Sequence, residues 1–124
     1  MGKIKTSSTN FENKSNLATG CPEAYAVNLI KGQWILSICY CLKNARLRFS
    51  EIRNQIPNIT ERMLTLQLKQ MEENKLILKY VYAEVPLRVE YELSEIGKGL
   101  LPILERLGDW GQHHREYLEA EAFK

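Results

Sequence analysis

The sequence predicts a mainly α fold with a small β-hairpin (α+β), and three observations predict it. Apolar residues recur at helical spacing through four stretches between residues 22 and 74. The period then changes to alternation over residues 76–93, and one long helical stripe fills most of the remainder. With 124 residues, 44% of them hydrophobic and 26% charged, the chain has the composition of a single globular domain.

Pro22 suits the first turn of a helix, where its missing N–H is not needed, and Tyr25, Ala26, Leu29 and Ile30 repeat until Lys31-Gly32 stops them. Trp34, Ile35, Ile38 and Leu42 carry a second helix ending near Asn44. Arg48-Phe49 reads as a brief extended segment, followed by Ser50 as N-cap of a third helix that ends before Pro57, with Ile52 and Ile56 as its buried pair. Thr60 caps a fourth helix with the stripe Leu64, Leu68 and Met71, supported by Met63 and closed at Asn74-Lys75. Leu76–Tyr82 and the alternating Arg88–Leu93 form two strands around the loop Ala83–Leu87. Ser94 caps the last helix, whose stripe includes Ile96, Leu100, Ile103, Leu104, Leu107, Trp110, His114 and Leu118, and which Pro102 is expected to bend. Helix, helix, helix-turn-helix, hairpin, helix is the order of a winged helix-turn-helix. Winged helices also dock proteins, so the order alone leaves DNA binding and protein interaction both open.

Charge favours a polyanionic partner for the middle of the chain. The net charge is only +2, yet residues 43–90 carry nine basic residues against six Glu, while residues 91–124 carry four against seven acids. A surplus concentrated in one segment fits phosphate contact there, and equally fits ordinary solvated faces. No apolar run approaches the roughly 20 residues of a membrane span, so no membrane partner is expected. The polar stretch Met1–Asn16 lacks an export signal, and residues 1–19 are expected to be a flexible leader in a cytoplasmic protein.

The residues also resemble a family. Cys21-Pro22, Leu29-Ile30-Lys31-Gly32-Gln33-Trp34, Arg48-Phe49-Ser50-Glu51-Ile52, Ile59–Thr65, Glu84–Tyr91 and Asp109-Trp110-Gly111 look like the signatures of HxlR-type bacterial transcription regulators, in the expected order over residues 20–112. The resemblance implies that residues 20–124 form one winged-helix DNA-binding and dimerisation domain. It implies a homodimer joined through the first and last helices, and a fourth helix that reads double-stranded DNA. It further implies relatives that govern detoxification or stress genes, some through oxidation or alkylation of a cysteine at the position of Cys21.

The candidate DNA-binding residues are Ser50, Thr60, Glu61, Arg62, Thr65, Leu66, Lys69, Lys79 and Arg88. With Leu64 at zero and about 100° per residue, Leu68 and Met71 fall within about 40°, which turns Arg62, Thr65, Leu66 and Lys69 outward. Arg62 can fork onto guanine or phosphate, Thr65 can bond either, and Lys69 suits a phosphate. Gln70, Glu72 and Glu73 read as a solvated face. Leu66, some 200° from Leu64, stands where the resemblance leads one to expect a polar residue, usually Gln; it is either a contact for a thymine methyl or an exposed leucine without a role. Lys79 and Arg88 are the wing's candidate backbone contacts, with Leu87 where relatives tend to have a second proline.

For the dimer interface the candidates are Tyr25, Leu100, Ile103, Leu104, Leu107, Trp110 and Leu118, because a helix with so long a stripe requires a partner surface. Cys21, just before a helix N-terminus whose dipole favours an anionic sulfur, is either a sensor of oxidants or electrophiles or an apolar cysteine at a dimer contact. Cys39 and Cys41 point about 200° apart on one helix, so Cys39 belongs to the core and Cys41 is the better intermolecular partner for Cys21. His113 and His114 are adjacent and lack the i, i+4 spacing of a zinc pair. With no Gly-rich phosphate loop, nucleophile elbow or carboxylate pair, neither metal, cofactor nor enzymatic activity is expected. The effector, if one acts, is an oxidant or a small molecule.

Overall fold

A computed structural model describes residues Gly20 to Phe123, so the expected leader at residues 1–19 lies outside the described residues. The described residues divide into two units, one ending at Gln33 and one beginning at Trp34. In the first, helix α1 spans Pro22–Ile30, with Cys21 at the extended N-cap and Pro22 opening the first turn. Tyr25 and Val27 on it are exposed.

The second unit holds α2 (Ile35–Cys41), β1 (Leu47–Arg48), α3 (Phe49–Gln55), α4 (Glu61–Glu73), β2 (Ile77–Tyr82), β3 (Arg88–Leu93) and α5 (Glu95–Ala122). With α1 these make five described helices and a three-stranded antiparallel sheet ordered β1-β3-β2, the architecture of a winged helix-turn-helix. Its core collects Ile35, Ile38 and Cys39 of α2 with Leu42 just after it, Ile52 of α3, and Leu64, Leu68 and Met71 of α4. Ile56 and Ile59 of the α3–α4 turn, Leu76 just before β2, Ile77, Tyr91 and Leu93 of the sheet, and Leu104 of α5 complete it. Burial pushes the Cys39 thiol up to about 11, which makes it a packing residue.

Sequence and structure part at several places. The expected two-stranded hairpin is a three-stranded sheet, because Leu47 and Arg48 pair with Tyr91 and Glu90; a two-residue strand is too short to show alternation. Ser50 is not an N-cap. The helix starts a residue before it, at Phe49, and Arg48 N–H donates to the Glu51 carboxylate that reaches back from the first turn (2.8 Å). Helix α2 stops at Cys41, short of Asn44. Met63 and Ile96 are exposed and support no core.

Both ends of α4 are closed. Thr60 Oγ1 accepts from Met63 N–H (3.1 Å). At the other end Leu76 N–H donates to Met71 O (2.9 Å) and Lys75 N–H to Glu72 O (3.0 Å). This is a Schellman closure with Lys75 in the left-handed region at φ 64°. The start of α5 locks onto the same place: Ser94 Oγ donates to Lys75 O (2.6 Å) and accepts from Gly97 N–H (3.0 Å), while Ser94 N–H donates to Leu76 O (3.0 Å). A Cβ at Gly97 would sit 2.1 Å from Leu76 O, so only glycine permits this approach.

Replacing Ser94 by Ala removes the cap and leaves the Lys75 carbonyl without its donor, at a cost of about 1 to 3 kcal/mol. Urea unfolding of Ser94→Ala, with its midpoint lowered at constant slope, is the expected outcome; an unchanged midpoint would show the junction to be unimportant.

Candidate nucleic-acid interface

Because Leu64, Leu68 and Met71 take the buried side of α4, the opposite side faces solvent with Arg62, Leu66 and Lys69. The polar residues around them are engaged within the chain. Glu61 is paired with Arg53 of α3 (3.2 Å). Thr65 Oγ1 donates to Glu61 O (2.8 Å), and Gln67 donates its amide to Gln70 (2.9 Å). Arg62 and Lys69 form no ion pair among the described residues. Two cations without an ion pair thus stand on the side of α4 opposite its buried stripe, and the exposed Arg53–Glu61 pair links α3 to the start of α4.

Ser50 lies exposed in the first turn of α3, and it lines an open cleft with Arg48, Phe49, Leu87, Arg88 and Val89. That cleft brings together two of the candidate residues, Ser50 and Arg88. In the wing, Glu84 lies beside Arg88, which argues against a strongly cationic surface there. Arg88 donates to Glu84 (2.9 Å) and to Glu90 (3.1 Å), and its guanidinium stacks 3.9 Å from the centre of the Tyr82 ring. Its charge is neutralised inside the wing, whereas Lys79 is exposed and has no carboxylate partner among the described residues.

Sequence reasoning missed Arg46. On the outer face of the sheet its guanidinium lies 3.7 Å from the Tyr80 ring centre, donates to the Tyr82 hydroxyl (2.8 Å) and pairs with Glu92 (3.3 Å). Tyr80 also donates its hydroxyl to Glu92. That hydrogen bond, with Arg46 and Lys98 nearby, holds the Glu92 carboxyl below its ordinary range and pushes the Tyr80 hydroxyl up. The signal was present as alternation: positions 46, 80, 82, 88, 90 and 92 share one face, and side chains of opposite charge recur on it.

Of the interface candidates on α5, Leu104 is 4% exposed and belongs to the chain's own core. Ile103, Leu107, Trp110 and Leu118 are exposed, and Leu100 is half-buried. Trp110 stacks on His114 (5.3 Å between ring centres). On α1, Tyr25 is exposed, and the half-buried Cys21 thiol lies 3.5 Å from the Glu23 carboxylate. Burial raises the Cys41 thiol above its ordinary value. No helix among the described residues is long and apolar enough to cross a membrane.

Comparison with known proteins agrees with this architecture. The pattern of the HxlR-like helix-turn-helix family matches residues 29–119. A helix-turn-helix transcriptional regulator of Methanothermobacter thermautotrophicus is 48% identical over 99 residues, covering 80% of this chain and 76% of that protein. The regulator YdeP of Bacillus subtilis is 38% identical over 116 residues, covering 94% and 85%. Among solved structures, the redox regulator HypR in its reduced form superposes with a TM-score of 0.73 at 38% identity, covering 80% of this chain and 98% of that one. Diamide-treated YodB from B. subtilis superposes with a TM-score of 0.67 at 32% identity, covering 75% and 93%.

A glutamate whose folded value is depressed adds stability above its unfolded value, about 4.3, and loses it as pH falls through the folded value. The Glu92 carboxylate followed by NMR should therefore titrate below the ordinary range, and Tyr80→Phe should move it upward. An identical titration in both proteins would contradict the pairing.

Proposed function

The chain belongs to the HxlR-like helix-turn-helix family and is a transcriptional regulator of that type; from that premise we propose that it binds an inverted-repeat operator as a homodimer. Helix α4 of each copy lies in a major groove, where Arg62 reads guanine or holds a phosphate and Lys69 holds a phosphate. Thr60, Thr65 and Leu66 complete the reading edge, and Glu61 sets its angle through Arg53. Ser50 and Lys79 flank it toward the backbone, and Arg88 acts there by shaping the wing, its charge being already paired. The observation that carries this reading is the pair of unpartnered cations on the side of α4 opposite its buried stripe.

The second copy is supported by α5. Beyond Leu104 its residues up to Phe123 are exposed apart from Gly111, which is partly so, and Leu107, Trp110 and Leu118 lie within about 80° of one another around the helix. A helix in a protein draws most of its stability from packing of its apolar face, so a matching helix from a second copy is its natural cover. Two-fold symmetry then spaces the reading helices by about 34 to 36 Å or a multiple, and the half-sites by whole turns of the duplex. Residues 20–124 act as one DNA-binding and dimerising domain, and the protein works in the cytoplasm, where its DNA is.

Occupancy of the operator changes with an oxidant, an electrophile or another small molecule, with Cys21 as the responding thiol. The reading rests on its place at the start of α1 and on the similarity to HypR, described as a redox regulator.

Selection of bound duplexes from a random pool, followed by binding at rising salt, tests the first proposal. With six to ten phosphates contacted, affinity falls by roughly 10³ to 10⁵ between about 50 and 200 mM salt, and Arg62→Ala loses about 1 to 3 kcal/mol with relaxed preference at one base. Failure to bind any duplex at low salt would favour a protein-docking role for the same face. For the signal, Cys21→Ser is expected to bind the operator normally and to ignore diamide; a variant still released by diamide would remove Cys21 as the switch.

A further inference from the structure

Leu66 is 52% exposed on α4, on the side opposite the buried stripe. Arg62 and Lys69 flank it on one side and Met63 and Gln70 on the other, all within about 60° around the helix. We propose that Leu66 makes α4 a reader of the C5-methyl group of thymine, at one thymine in each operator half-site. This deepens the proposed DNA-binding function and rests on it.

Two features of the helix lead there. The first is what its polar residues are already bound to. Thr65 gives its hydroxyl proton to the Glu61 carbonyl, Glu61 holds Arg53, and Gln67 holds Gln70. Hydrogen-bond reading therefore falls chiefly to Arg62 and Lys69, and the centre of the reading edge offers alkyl surface.

The second is the chemistry of the groove. Among the base edges of the major groove the thymine methyl is the one alkyl group, while N7, O6, O4 and the exocyclic amines all require a hydrogen-bond partner. An aliphatic side chain pressed against those polar groups strips their water and returns no partner, so the wrong base is penalised as well as the right one favoured. Leucine at position 66 thus selects by exclusion of polar edges and by burial of one methyl. Exposed Met63, one turn earlier, widens the apolar strip and bounds the position of the thymine.

The experiment uses wild-type protein and the duplex recovered by selection, with each thymine replaced singly by deoxyuridine, which removes the methyl and leaves pairing unchanged. Burying one methyl stabilises by about 0.8 kcal/mol, which is about a four-fold change in affinity. One symmetry-related thymine position should therefore lose about four-fold when altered in one half-site, and about fifteen-fold when altered in both. Leu66→Ala and Leu66→Gln, exposed changes that leave the core intact, should bind the thymine and uracil duplexes equally. Indifference to uracil at every position, with tight salt-dependent binding retained, would overturn this inference and leave the DNA-binding reading standing. So would a uracil penalty that persists in Leu66→Ala, or a selected half-site lacking thymine. Absence of duplex binding altogether would end both.

Discussion

Helix α4 can bury only one stripe, and that constraint places everything else. Once Leu64, Leu68 and Met71 enter the core, the geometry of about 3.6 residues per turn leaves no freedom over which residues face outward. The ends of the helix then fix its position along its own axis. Thr60 closes the start, and the Schellman bonds at Lys75 close the finish. The finish is also the point where α5 begins, since Ser94 bonds both to the Lys75 carbonyl and to the first turn of its own helix. Helix α4 and the long exposed helix are thereby joined through one small knot of hydrogen bonds at the base of the sheet.

Charge is distributed by the same logic of engagement. The wing carries several basic residues, yet Arg46 and Arg88 spend theirs on Glu84, Glu90 and Glu92 and on the faces of Tyr80 and Tyr82. Exposed ion pairs of this kind add little stability singly, but stacked together they stiffen a short sheet that has only one buried face. Arg62, Lys69 and Lys79, by contrast, are exposed and form no ion pair among the described residues. A chain with a net charge of only +2 can thus still leave two cations free on the outer side of α4.

Much of this was legible in the sequence where a residue's role is local. The α4 stripe, the Thr60 and Ser94 caps, the turn before α4 and the bounds of β3 follow from periodicity and from side chains that bond within three residues. What escaped depends on partners distant in sequence. Strand β1 exists because of Tyr91 and Glu90, more than forty residues away. Leu104 looks like its neighbours in the α5 stripe and differs only because the rest of the fold covers it. Arg46 reads as a free cation until the fold brings Tyr82 and Glu92, 36 and 46 residues away, to it. The outward face of α4 was foreseen, while the engagement of Glu61, Thr65 and Gln67 that isolates Arg62, Leu66 and Lys69 was not.

The central claim is that the side of α4 opposite its buried stripe meets a duplex. Backbone-amide NMR of the protein titrated with its selected duplex tests it most directly. The account predicts that the largest shifts fall on residues 60–69, with a smaller set at the wing, and that the exposed part of α5 is unmoved. Shifts concentrated on α5 or α2, with residues 60–69 unchanged, would contradict it.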